Sequence, residues 1–268
     1  MTHLRILRKH KRTVTFSDEI TQWEAMAAGE QADHDALDEA VEQIGVAGVL
    51  DLEQGPLLSC IAGVLRVEGG EGAGKSTQVA LLRDALAAQG REVVVTREPG
   101  GTPAAEAIRS LVLDPANSGL DPRAEALLFA AARAEHAAAL IRPAIDRGAI
   151  VICDRYIDSS VAYQGLGRDL GAERILKLSA WATENLFPDL TFVLDIDPTV
   201  GLARAGQVSV APDRMESEDL SFHQMVRQAF LAAADENAER YAVIDALGDQ
   251  QQIHAAIVGR LNTLTSTQ

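Results

Sequence analysis

The chain has 268 residues and a mass of 28.6 kDa, enough for one large domain or one domain with a small appendage. At 47% hydrophobic and 24% charged it can bury a core, which excludes disorder throughout. Its 24 Lys and Arg against 39 Asp and Glu give a formal charge of −15. That balance argues against a nucleic-acid scaffold but leaves room for a local cation cluster that binds a small anion.

In chain order, residues 1–12 carry Arg5, Arg8, Lys9, Lys11 and Arg12 and no acid. No apolar block follows them, so no secretory signal is visible, and no apolar run reaches the ~18 residues that cross a bilayer. Without an adjacent amphipathic run, the basic patch reads as a solvated tail and not as a membrane or nucleic-acid anchor. Residues 13–60 carry only acids among their charged side chains. The spacing predicts one or two helices over 17–43, with Ser17 as N-cap, and a linker over 45–56. Residues 1–60 are thus an N-terminal extension. It is either a true appendage or the product of a misassigned start, and a later start needs a non-AUG codon, since no Met lies between Met26 and Lys75. Cys60 and Cys153 form no CxxC pair, which points to a reducing cytoplasm. Trp23 and Trp181 read as packing residues.

From residue 61 the pattern changes. Short β-branched runs at 64–67, 92–96, 149–153, 190–194 and 241–244 alternate with Ala/Leu-rich helical stretches. The helices are expected at 75–89, 103–113, 122–147, 172–185, 198–205, 220–240 and 250–264. This alternation predicts an α/β domain over 61–268: a three-layer fold with a five-stranded parallel sheet covered on both faces. Ligands in such folds collect at the carboxyl ends of the strands.

The first strand runs into Gly69, Gly70, Glu71, Gly72, Ala73, Gly74, Lys75 and Ser76, followed by Thr77. This is the G-x-x-x-x-G-K-[ST] phosphate loop in its proper place between strand and helix, which makes the fold that of a P-loop NTPase. Its glycines let backbone N–H groups turn in around phosphate oxygens, and the helix adds its positive end. Lys75 is expected on the β- and γ-phosphates of ATP and Ser76 on Mg²⁺. The base-reading N-K-x-D of a GTPase is missing.

Three clusters follow. TREPGGT closes the second strand, with Glu106 and Arg109 on the next helix. LFAAAR puts Phe129 and Arg133 on one helix face. DRYIDSSVAYQ closes the third strand. The segments VEGGEGAGKSTQ, VVVTREPGGTPAAEAIRSLVL, EALLFAAARAEHAA, VICDRYIDSSVAYQGLGR and PDLTFVLDIDP, then DRMESED…FH, resemble the bacterial thymidylate kinases in content and order over roughly 62–265. The resemblance implies a nucleoside-monophosphate kinase, usually a homodimer, that converts dTMP and ATP to dTDP and ADP with Mg²⁺. By motif position it implies that Phe129 stacks on thymine and that Arg133 donates to a thymine carbonyl. Ser160 and Gln164 complete base recognition, and Tyr163 crowds the sugar 2′ position. Arg97, Arg109 and Arg155 handle the dTMP phosphate and the transferred group, Glu71 lies near the 3′-hydroxyl, and Glu98 lies in the same pocket. Asp154 holds a Mg²⁺-bound water or orients Arg155.

Two departures stand out. The phosphate loop has no Arg, and the lid expected near 204–215 has cations only at its borders, Arg204 and Arg214, so Arg204 is the candidate lid cation. Arg66 stands in the first strand, where the family has an apolar residue. A central strand is buried on both faces, so Arg66 needs an acid from the extension or from the domain itself.

Overall fold

The computed structural model describes residues 63–208 and 213–266. Contacts divide the chain into two units, Met1–Leu57 and Leu58–Gln268. The helices and linker expected within 17–56, and residues 209–212 of the expected lid, lie outside the described residues.

Five strands form one parallel sheet: β1 (Val64–Gly69), β2 (Val93–Arg97), β3 (Ile150–Asp154), β4 (Leu190–Asp195) and β5 (Tyr241–Asp245), in the order β2-β3-β1-β4-β5. Each stands where its β-branched run placed it, ending slightly later. The helices are α1 (Lys75–Ala87), α2 (Pro103–Leu113), α3 (Pro122–His136), α4 (Arg142–Asp146), α5 (Ile157–Ser160), α6 (Ala172–Ala182), α7 (Pro198–Val208), α8 (Leu220–Glu236) and α9 (Gln250–Ser266).

Two stretches differ from the sequence reading. The single helix expected over 122–147 is interrupted by a π-helical turn, Ala137–Ile141. Pro143 cannot donate to the preceding turn and its ring crowds it, so the ladder widens upstream. The DRYIDSSVAYQG segment is α5 followed by a second π turn, Val161–Gly167, which buries Tyr163 and Gln164. Trp181, expected to pack, is 79% exposed on α6.

Because strand side chains alternate, β1 shows different chemistry to the two faces. Leu65 and Val67 join Ile152, Phe192 and Leu194 in an apolar core with Leu82 of α1 and Ile257 of α9. The other face carries Arg66 and Glu68, 1% and 0% exposed. The Arg66 Nη2 donates to Asp158 Oδ2 and, at 2.8 Å, to Thr191 Oγ1, and its Nε lies 3.4 Å from Glu68 Oε1. Tyr241 donates to the same Asp158 oxygen at 2.7 Å. Arg66 therefore finds its acids inside the α/β domain. Cys153 lies on this face too, and burial pushes its thiol well above the usual range, consistent with an inert packing residue.

Candidate active site

The site lies at the carboxyl edge of β1, β2 and β3. After β1 the chain turns through Gly74, at φ 87°, into α1. An L side chain there is strained, so glycine is required. Lys75 Nζ donates to the carbonyls of Gly69 at 3.1 Å and Gly70 at 2.7 Å, which stations the ammonium over the loop. Burial, with Arg155 nearby, lowers its pKa. Ser76 Oγ donates to Asp154 Oδ2 at 3.1 Å, while Asp154 Oδ1 is buried with no partner.

The loop touches α7 backbone to backbone. A Cβ on Gly72 would stand 1.9 Å from the Gly201 carbonyl oxygen, and one on Gly201 would stand 2.3 Å from that of Glu71. Two glycines thus seat α7 directly on the phosphate loop.

Two cavities open here. The cleft over the loop is lined by Gly72, Gly74, Lys75, Ser76, Thr77, Arg97, Asp154 and Arg204. The second pocket is lined by Phe129, Arg133, Ser160, Tyr163, Gln164 and Met215, among others. Glu71, Glu98, Arg109, Arg155 and Glu216 line both. Of the residues expected to hold the acceptor, all but Arg97 therefore meet in the second pocket. Arg97 belongs to the phosphate cleft and pairs with Glu106 at 3.0 Å.

Arg155 sits between the cavities at φ 66°, immediately after β3. Its Nη2 donates to Glu71 Oε1 at 2.5 Å and its Nη1 to Ser159 Oγ at 3.3 Å, and its guanidinium lies 5.2 Å from the Tyr163 ring centre. Burial pushes the Glu71 carboxyl up, but Arg155 and Lys75 reverse this and leave it at about 2, so it is ionised at neutral pH. Arg109 donates to the Pro99 carbonyl at 2.8 Å.

The sequence placed Glu98 in the pocket, and the structure shows what it touches. Its Oε2 accepts from Arg133 Nε at 2.7 Å and its Oε1 lies 2.9 Å from His136 Nδ1. His136 is in turn 2.7 Å from Thr96 Oγ1. Arg133 donates further to Ser179 Oγ, the Tyr156 carbonyl and Ser160 Oγ, so its plane is fixed beside Phe129. Gln164 Nε2 donates at 2.8 Å to Glu125, which also accepts from Arg214 at 2.6 Å and Arg168 at 3.3 Å. Glu125, His136 and Arg214 were not read as site residues. Glu125 stands four residues before Phe129, on the face that carries Arg133, and that spacing was a usable signal. Arg204 lines the phosphate cleft, but its guanidinium donates to the Ala246 carbonyl at 2.9 Å and the Leu247 carbonyl at 3.5 Å.

A phosphate loop on this sheet, sharing a wall with a second pocket, defines a P-loop kinase of small molecules. A family model of thymidylate kinase matches residues 67–257. The thymidylate kinase of Clavibacter michiganensis subsp. michiganensis is 52% identical over 200 residues, covering 75% of this chain and 94% of its own length. That of Deinococcus radiodurans is 47% identical over 193 residues, covering 72% and 93%. A crystal structure of thymidylate kinase from Ehrlichia chaffeensis superposes with a TM-score of 0.62 at 33% identity, covering 75% of this chain and 98% of that one. The chain belongs to the thymidylate kinase family.

The contact between loop and α7 has a testable consequence. Gly201→Ala drives a methyl group against the Glu71 carbonyl, and backbone cannot yield cheaply. The expected result is a KM for ATP raised about fivefold or more, roughly 1 kcal/mol of binding. Initial-rate kinetics check it, and a KM within twofold of the parent means the contact does not shape the loop.

Proposed function

We propose that ATP occupies the cleft over the phosphate loop, that dTMP occupies the second pocket, and that Arg155 stands at the point of handover. The reaction is the phosphorylation of dTMP to dTDP by ATP, on the way to dTTP. The observation that carries the arrangement is the shared wall: Glu71, Arg109 and Arg155 line both cavities. A phosphate oxygen of dTMP attacks the γ-phosphorus in line. That oxygen is already anionic near neutral pH, so no general base is required, and the protein positions the reactants and neutralises charge. Lys75 acts on the donor phosphates, Arg155 on the transferred group, and Arg97 and Arg109 on the approaching phosphates.

On the base, Phe129 stacks and Arg133 donates to a thymine carbonyl, with Ser160 beside it. The Gln164 amide nitrogen is committed to Glu125, which leaves its oxygen to accept from thymine N3–H. Tyr163, whose hydroxyl donates to Glu71 at 3.2 Å, limits space at the sugar, where Glu71 meets the 3′-hydroxyl.

The donor set fits Mg²⁺. Ser76 offers a hydroxyl, and the unpartnered Asp154 Oδ1 offers a carboxylate oxygen directly or through water. Among the described residues no cluster of three or more His, Cys, Asp or Glu is placed to hold a metal. The ion would thus rest on Ser76, Asp154 and the nucleotide. When bound, it supplies positive charge against the β- and γ-phosphates.

Residues 61–268 form the kinase domain in this reading, with the lid near 204–215 and residues 1–60 as its extension. No helix among the described residues is long and apolar enough to cross a membrane, and we place the enzyme in the cytoplasm. We also propose a homodimer. α3 and α6 pack side by side, and Leu127, Leu176 and Trp181 stand exposed on them, apolar surface of the kind that interfaces cover.

Three measurements test this reading. A coupled ADP assay with dTMP, dUMP, dCMP, dGMP and thymidine should give the highest kcat/KM with dTMP; equal turnover of dCMP or thymidine refutes the pocket assignment. ATP binding without dTDP formation would instead mark a regulatory nucleotide-binding module. Arg204→Ala should lower kcat more than about threefold, roughly 0.7 kcal/mol of barrier, and a smaller loss removes Arg204 from the transition state. Light scattering should give twice the chain mass of 28.6 kDa, and Trp181→Asp should move the population towards monomer.

A further inference from the structure

Two buried charges, Arg66 and Glu68, and the partly buried Asp158 lie behind the site and take no part in the reaction as described. Their contacts lead to Arg155. Glu68 Oε2 accepts from Ser159 Oγ at 2.7 Å, and Glu68 Oε1 accepts from the Tyr156 backbone N–H at 2.9 Å. With its hydrogen given to Glu68, Ser159 can offer Arg155 only a lone pair, and Arg155 Nη1 donates to it at 3.3 Å. The direction of donation is therefore fixed from guanidinium to hydroxyl to carboxylate. We infer that Glu68 is a positioning residue for Arg155, acting through Ser159, and that Arg66 supplies the counter-charge which keeps Glu68 an acceptor at both oxygens.

The chemistry at residue 68 allows little substitution. Both neighbours of the carboxylate donate, so an amide in its place sets its NH₂ against either the Ser159 hydroxyl or the Tyr156 N–H. If the amide faces Ser159, the hydroxyl reverses and points its hydrogen at Arg155, donor against donor. Burial favours the neutral acid at Glu68, and Arg66, 3.4 Å away, opposes that tendency. Arg66 is held in turn by Asp158 and Thr191, and Asp158 by Tyr241 of β5. Arg66 is the residue that departs from the apolar pattern of the strand. Its two acidic partners come from β1 itself and from α5, which follows Arg155. The unusual cation in the sheet and the orientation of the guanidinium at the handover point thus belong to one network.

This inference rests on Arg155 as the cation that acts on the transferred group, and the test separates the two claims. In the full chain, kcat and KM for ATP and dTMP are measured for Glu68→Gln, Ser159→Ala, Ser159→Thr, the Glu68→Gln/Ser159→Ala double variant and Arg155→Ala, with thermal melting of each. Glu68→Gln and Ser159→Ala should each lower kcat about tenfold while KM for ATP stays within twofold. Ser159→Thr, which keeps the hydroxyl, should restore most of the rate. The double variant should be no slower than Glu68→Gln alone, because both break one chain of contacts. Ser159→Ala removes no charge and remains informative if Glu68→Gln does not fold. If Arg155→Ala lowers kcat but Ser159→Ala does not, or if the two relay effects multiply, the relay is wrong and the assignment of Arg155 stands. If Arg155→Ala leaves kcat unchanged, both fail.

Discussion

The guanidinium of Arg155 is held from two sides by carboxylates of different standing. Glu71, on the phosphate loop, contacts it directly. Glu68, on the central strand, reaches it through Ser159. Between them the residue adopts a left-handed φ of 66°, a conformation that costs of order 1–3 kcal/mol for a side chain of this kind. Such a conformation persists only when its surroundings over-determine it. Here they do: the Arg155 N–H donates to the Val67 carbonyl at 3.1 Å, and the Arg155 carbonyl accepts from the Cys153 thiol at 3.0 Å. The following N–H is taken by Glu68. The strand that ends in the phosphate loop therefore also fixes the turn that presents Arg155, and donor and acceptor chemistry share one rigid support.

That support depends on a division of labour across the sheet. The face toward α1 and α9 is apolar and close-packed, and stabilises the fold by burial. The opposite face buries Arg66, Glu68 and, from α3, Arg133 and Glu125. Buried ion pairs add little net stability, because desolvation offsets their attraction, but removing one partner costs several kcal/mol. Their effect here is geometric: each fixes the plane or the hydrogen-bonding direction of a side chain that faces a cavity.

How much of this the sequence revealed follows from how local each feature is. The phosphate loop was legible because its function resides in contiguous backbone and three side chains. The strands were legible because buried parallel strands are β-branched runs. Phe129 and Arg133 could be paired because helical spacing alone puts them on one face. What Glu98 does was not legible, since its partners Arg133 and His136 lie on a helix 35 and 38 residues away. Arg66 announced a missing partner without naming it, because Asp158 is 92 residues distant and sits in α5, a helix of four residues, too short to show a period. The π turns at 137–141 and 161–167 were missed for a related reason, since a widened turn shifts the periodicity by which helices are read.

Glu125 shows how such distant contacts tie separate segments of the chain to one pocket wall. It is 1% exposed, and three donors converge on it: Gln164 from the π turn, Arg168 beyond that turn, and Arg214, next to Asp213. Arg214 is fixed further by the Val112 carbonyl at 2.8 Å, and its neighbours Asp213, Met215 and Glu216 form a wall of the second pocket. A buried carboxylate deprived of a cation is expensive, so this wall cannot swing away without disturbing the group that sets the Gln164 amide. The orientation of the Gln164 amide and the placement of the wall are thus coupled through Glu125.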